Sequence, residues 1–191
     1  MPNYGEPTYW DRRYINQKGK TFDWLEDYTT LAPVLDNLVG RDHSILHLGC
    51  GNAELSEDMY DDGYRNMVNI DISKICIEEM TERNKHRLGM KWMVMDAMDM
   101  KFEDETFDIV IDKSTLDAIL CGNESFLNAA KMIMEVQRVL KTGGLYIVIS
   151  YGNPENRYFH FLRDHLSFQY NCFVLSTKKE KMHEVDTVFL K

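Results

Sequence analysis

A chain of 191 residues with 44% hydrophobic and 28% charged content has the usual length and composition of one domain with a full core. Its 22 Lys and Arg against 31 Asp and Glu leave a net charge of −9, which repels a phosphate backbone and favours a basic protein surface over free nucleic acid as partner. Cys50, Cys76, Cys121 and Cys172 form no CxxC pair, the first ten residues lack an apolar signal segment, and no uncharged apolar run approaches membrane-spanning length; these features speak against a metal site, a disulfide framework, secretion and a membrane span.

The expectation is a single cytoplasmic domain over residues 1–191, opened by an N-terminal arm of about residues 1–40. In that arm Tyr9-Trp10-Asp11-Arg12-Arg13-Tyr14 is unusually aromatic and charged; it suits either an aromatic lid or a packed arm. Residues 23–39 read as a helix. The apolar run 44–48 suits a buried parallel strand, followed by Gly49-Cys50-Gly51-Asn52 and a helical pattern over 53–61. A strand at 67–70, a helix at 74–87 and a strand at 91–95 come next; for the last of these, position in the series decides, since Trp and Met suit either state. Further strands are expected at 109–111 and, after the turn Thr142-Gly143-Gly144, at 145–150, with a helix at 127–140 between them. Residues 151–157 read as a loop from their Gly, Asn and Pro content. Residues 168–177 and 185–190 flank the charged turn Lys178-Lys179-Glu180-Lys181 and read as an antiparallel hairpin at the sheet edge. Strands alternating with helices imply an α/β fold with a mostly parallel sheet.

The chemistry gathers at strand ends. Gly49 and Gly51, between a strand and a helix, allow positive φ and close approach of backbone to a ligand. A dinucleotide loop would place a third glycine at position 54, where this chain has Glu54. A carboxylate there disfavours a pyrophosphate, so a cofactor with a positive centre and no phosphate fits better. Asp71, twenty residues beyond Gly51, is placed to accept both hydroxyls of a ribose; its other possible role, capping the next helix, can fall to Ser73. Asp96 ends the third strand, where it can accept from an adenine amino group with Ala97 leaving room beside it. Asp112-Lys113-Ser114-Thr115-Leu116-Asp117 follows the fourth strand at the carboxyl edge of the sheet, where the reacting groups would meet; one or more of these residues should line the pocket, and at least one of Ser114 to Asp117 should act as a helix cap. The six histidines have no ligand spacing, and His47 reads as a core residue.

With these residues in view, the chain resembles the class I S-adenosylmethionine-dependent methyltransferases, in particular the methyltransferase-like group of lysine methyltransferases that act on translation elongation factor 1-alpha. The resemblance rests on Tyr9-Trp10-Asp11-Arg12-Arg13-Tyr14, Leu48-Gly49-Cys50-Gly51-Asn52, Asp71-Ile72-Ser73 and Asp112-Lys113-Ser114-Thr115-Leu116-Asp117-Ala118. It implies a Rossmann-like sheet with a terminal antiparallel hairpin, S-adenosyl-L-methionine as cofactor, and a protein substrate. It also implies cofactor contacts from Trp10, Tyr14 and Trp24 of the arm, Gly49 of the loop, Asp71 with Ile72, Asp96 with Ala97, and Lys113; for Trp24, helix packing is the alternative. Two departures stand out: Ser114 occupies a position where glycine is common in the group, and the segment between Leu120 and Leu127 differs in length.

Three functions follow as expectations: methyl transfer to a protein lysine, methyl transfer to a small molecule in a pocket near residues 151–161, or a non-catalytic module that kept the fold. For the first, the enzyme would mainly position and desolvate the amine. If a general base is used, Asp112 or Asp117 is the candidate.

Overall fold

In a computed structural model of the chain, residues 4–163, 165–170 and 189–190 are described. Pro7 opens α1 (Pro7–Asn16), where its missing N–H leaves no helical bond unmade. The arm is therefore helical at its start. Helix α2 (Tyr28–Leu38) begins five residues later than the pattern suggests, because the Asp27 carboxylate accepts from the Thr30 N–H and caps it. Next come β1 (Ile45–Leu48), α3 (Leu55–Asp61), β2 (Met67–Asp71) and α4 (Lys74–Arg83). Ser73 caps α4 by accepting from Cys76 N, which leaves Asp71 for another role. Helix α4 stops four residues short of the expected end, where Asn84 forms the C-cap and Arg87 N turns back to Asn84 O.

The second half holds β3 (Met90–Val94), β4 (Phe107–Lys113), α5 (Thr115–Leu120), α6 (Ser125–Val139), β5 (Leu140–Ile149) and α7 (Pro154–Phe161). The turn expected at residues 142–144 is instead absorbed into β5: Gly143 has φ +81° and the β4–β5 register shifts between Phe107 and Ile109, as at a β-bulge. The loop expected at 151–157 is corrected from residue 154 onward. Asn153 accepts from Asn156 N and Pro154 takes the first helical position, so residues with turn composition start a helix.

Five strands form a parallel sheet in the order β3-β2-β1-β4-β5. The order reverses between β1 and β4, and the strand ends there open a crevice. At the far edge, β7 (Phe189–Leu190) pairs antiparallel with β5 and with β6 (Gln169–Tyr170). The rest of the expected hairpin, residues 171–188, lies outside the described residues.

Alternate residues of each strand feed two cores, as period-two strands buried on both faces require. Leu46, Leu48, Val110, Tyr146 and Val148 pack against Ala129, Met132, Ile133 and Val136 of α6. Ile45, Ile109, Ile111, Ile147 and Ile149 pack with Leu31 and Leu35 of α2 and with Leu55 and Met59 of α3. A third, smaller cluster ties α1 to α4 through Tyr14, Cys76 and Met80. Among the described residues no helix is long and apolar enough to cross a membrane, and no group of His, Cys, Asp and Glu is arranged to hold a metal ion.

Candidate active site

The glycine loop after β1 forms the floor of a cavity. Gly49 and Gly51 have φ of +52° and +56°, a conformation that strains any residue with a Cβ. At Gly49 a Cβ would also collide with the Thr115 side chain, whose Oγ1 donates to Leu48 O at 2.9 Å. Asp71, at the tip of β2, accepts from Gly51 N at 3.0 Å and from Ser73 N at 2.9 Å, one amide for each carboxylate oxygen. Burial pushes its carboxyl up to about 6 despite those amides. Each oxygen retains lone-pair capacity for a ligand hydroxyl. At the end of β3, Asp96 accepts from Met98 N at 2.8 Å and lines the same cavity with Ala97.

The roof comes from the N-terminal arm. Trp10 and Tyr14 stack at 6.2 Å, Tyr4 meets Trp24 edge-on at 5.8 Å, and Phe22 meets Trp24 edge-on at 5.0 Å. Beneath them Lys113, nearly inaccessible, ion-pairs with Asp23 and donates to Trp24 O at 3.0 Å and Glu26 O at 3.1 Å. Its ammonium thus ties residues 23–26 down over the strand ends. These residues precede the Asp27 cap of α2. Next to Lys113, Ser114 takes a left-handed φ of 68°, a backbone cost of about 1–3 kcal/mol for a residue other than glycine.

All ten residues proposed from sequence as cofactor contacts, Trp10, Tyr14, Trp24, Gly49, Gly51, Asp71, Ile72, Asp96, Ala97 and Lys113, line this one cavity of about 190 Å³. The two candidate bases do not line it. Asp112 is fully buried, and its carboxylate accepts from Tyr146 Oη at 2.9 Å, Thr115 N at 2.8 Å and Leu116 N at 3.2 Å. Burial raises it to about 7, but the group braces the start of α5. Asp117 accepts from Ser150 Oγ at 2.5 Å, Tyr151 N at 2.8 Å and an Arg157 Nη at 2.5 Å, locking α5 to the segment ahead of α7. A strand-end position alone does not tell which way a carboxylate points.

Sequence reasoning passed over several lining residues, among them Arg13, Phe22, Asp23, Asn52 and Met98. Arg13 and Phe22 carried a signal, being part of the aromatic, basic arm. His47 also borders the cavity. Its Nδ1 lies 2.7 Å from Ser56 Oγ, which donates to Asn69 Oδ1 at 2.6 Å; with that hydroxyl proton spent, His47 must donate from Nδ1. Burial lowers its pKa to about 4, so it is a neutral member of the core, as expected from its place on β1.

A parallel sheet with reversed strand order, a left-handed glycine floor and a buried carboxylate at the end of the second strand belong to a class I S-adenosylmethionine-dependent methyltransferase. The family model described as "Methyltransferase domain" matches residues 40–187, and the chain belongs to that family. It is similar to the eEF1A lysine and N-terminal methyltransferase of Mus musculus, 43% identical over 151 residues, which is 77% of this chain and 22% of that protein. It is also 30% identical over 167 residues to EEF1A lysine methyltransferase 4 of Mus musculus, covering 83% of this chain and 66% of the relative. Among solved structures, phosphoethanolamine N-methyltransferase 1 of Haemonchus contortus superposes with a TM-score of 0.72 over 96% of this chain and 47% of its own, at 15% identity. That likeness concerns the fold alone. The chain spans about a fifth of the length of the first of these relatives.

Proposed function

We propose that the chain methylates the side-chain amine of a lysine in a protein, with translation elongation factor 1-alpha the first substrate to test. The observation that carries this reading is the 43% identity, over 77% of the chain, to a relative whose name gives that activity. The acidic balance of −9 agrees with a basic partner. We further propose that the chain is one cytoplasmic domain.

The residues present fit the cofactor, because Asp71 offers two oxygens at the spacing of a ribose diol and the left-handed glycines clear the floor. When bound, S-adenosylmethionine supplies an electrophilic methyl group on a sulfonium. Asp71 would hold the ribose hydroxyls and Asp96 the adenine amino group. Gly49 and Lys113 would border the amino-acid end. The rings of Trp10, Tyr14 and Trp24 would keep water out and present their faces to positive charge. A lysine amine has an ordinary pKa near ~10.4, and desolvation under the aromatic roof favours its neutral form. Since Asp112 and Asp117 are committed to backbone and side-chain donors, the amine would lose its proton to water on entry rather than to a carboxylate.

The test is incubation of the purified chain with methyl-labelled S-adenosylmethionine and elongation factor 1-alpha, followed by peptide mapping. Label on a lysine supports the proposal. Label on the N-terminal α-amine would replace it by the second activity in the relative's name, and label confined to small molecules from an extract would replace it by metabolite methylation.

A further inference from the structure

The cavity wall contains two Lys or Arg side chains, Arg13 and Lys113, and only one of them meets a carboxylate. Lys113 is paired with Asp23. Arg13 Nε donates to Gln17 Oε1 at 3.3 Å and Nη1 donates to Tyr9 Oη at 3.2 Å, both neutral acceptors. Among the described residues no carboxylate stands within ion-pair distance of Arg13. Three of its five donors, one on Nη1 and two on Nη2, remain for another partner, and they form the edge that binds a carboxylate through two parallel hydrogen bonds.

The guanidinium is also held in place. Its Cζ lies 4.2 Å from the Phe22 ring centroid, 5.1 Å from that of Trp24 and 5.7 Å from that of Trp10. Such a frame fixes the plane of the fork in advance and partly shields it from water, which strengthens a charged contact. Arg13 lines the same cavity as Asp71 and Asp96. With adenine at Asp96 on the β3 side and ribose at Asp71 on β2, the amino-acid tail must extend toward β1 and β4, beneath the arm that carries Arg13.

We propose that Arg13 binds the α-carboxylate of the methionine moiety through its Nη1–Nη2 edge, and so makes the site select ligands that carry this group. The inference rests on S-adenosylmethionine as cofactor and is independent of the methyl acceptor. Lys113 cannot take the same role without releasing Asp23. An arginine that only packed between rings would instead be indifferent to the ligand's carboxylate.

Calorimetric titration of the wild-type chain and of Arg13→Gln with S-adenosylmethionine, and with its decarboxylated analogue, separates these cases. The wild type should prefer the carboxylated ligand by about tenfold to a hundredfold, the range of one charge-assisted contact. Arg13→Gln should lose that preference by binding S-adenosylmethionine more weakly, while its affinity for the decarboxylated ligand stays within about twofold of wild type. Equal weakening of both ligands, or of neither, overturns the proposal. If Arg13→Gln does not fold by circular dichroism, Arg13→Lys decides: it keeps the charge without the fork and should weaken only the carboxylated ligand, and equal losses overturn the proposal. If the wild type binds neither ligand, the cofactor assignment falls and Arg13's role with it.

Discussion

The cavity floor is built from strand ends whose Asp71 carboxylate is fixed by backbone amides, whereas its roof is a short helix and a loop held by aromatic rings, the Lys113 ammonium and two side-chain hydrogen bonds, Ser73 Oγ to Asp11 and Asn52 Nδ2 to Lys20 O. On the floor, Gly51 N and Ser73 N fix Asp71 from residues within twenty positions of it. In the roof, Lys113 reaches Asp23 across ninety positions of sequence. The floor is thus part of the sheet and inherits its rigidity, while the roof depends on a few side chains and opens at lower cost. Under the functions proposed above, labour would divide accordingly: the floor would recognise adenosine by directed hydrogen bonds, and the roof would supply desolvation and, through Arg13, charge.

The most severe way to break the floor is Gly49→Ala. With φ at +52° and Thr115 in the way of a Cβ, we expect a loss of about 2–4 kcal/mol in stability and no measurable cofactor binding, read by denaturant unfolding and calorimetry. Asp71→Asn leaves the backbone alone but turns an amide toward the N–H of Gly51 or Ser73. Cofactor affinity should drop on the order of a hundredfold, as for loss of charged hydrogen bonds to two hydroxyls.

The same carboxylate sets a pH dependence. With Asp71 near pKa 6 in the free protein, affinity at pH 5 should be about tenfold below that at pH 7.5, and Asp71→Asn should flatten the profile. Stability of the free protein runs the other way. Carboxyls raised by burial, Asp71 to about 6 and Asp112 to about 7, contribute fully below their unfolded values near ~4 and lose that contribution as pH rises through 6 to 7. Affinity that is level with pH while Asp71 is intact would show that this group does not hold the ribose.

Lys113→Met attacks the roof alone. It strands Asp23, which is 29% exposed and partly rescued by water, so the expected cost is about 1–3 kcal/mol rather than that of a dry pair. Amide exchange should rise over residues 20–27 and stay unchanged at Gly51 and Ser73; equal rises in both regions would mean that floor and roof open together. The mildest change has the opposite sign. Ser114→Gly relieves the left-handed φ and should add about 1 kcal/mol, or roughly 2–4 °C in Tm for a chain of this size.

The same contrast accounts for what could be read in the chain before its structure. Floor residues announce themselves because their geometry is local: two glycines at a strand end and an acid twenty residues on are a pattern any single sequence displays. The ten proposed contacts fall in one cavity for that reason and because the arm motif resembles a known group. What stayed hidden depends on distant pairing or on orientation. No spacing rule links Lys113 to Asp23, and none tells that Asp71 faces the cavity while Asp112, also at a strand end, turns into the core toward Tyr146. Asn153 and Pro154 show a third limit, since the residues that make turns also start helices.

Two of the chain's three tryptophans, Trp10 and Trp24, border the cavity, and the third, Trp92, packs against the Tyr14 cluster that joins α1 to α4. All of its indoles therefore sit in or beside the roof. A purine or a sulfonium arriving there changes the polarity and quenching around the emitters themselves, so the ultraviolet fluorescence of the unlabelled chain is a gauge of occupancy. The same signal follows the arm through a stopped-flow trace, where the order of docking and closure can be timed on a single sample.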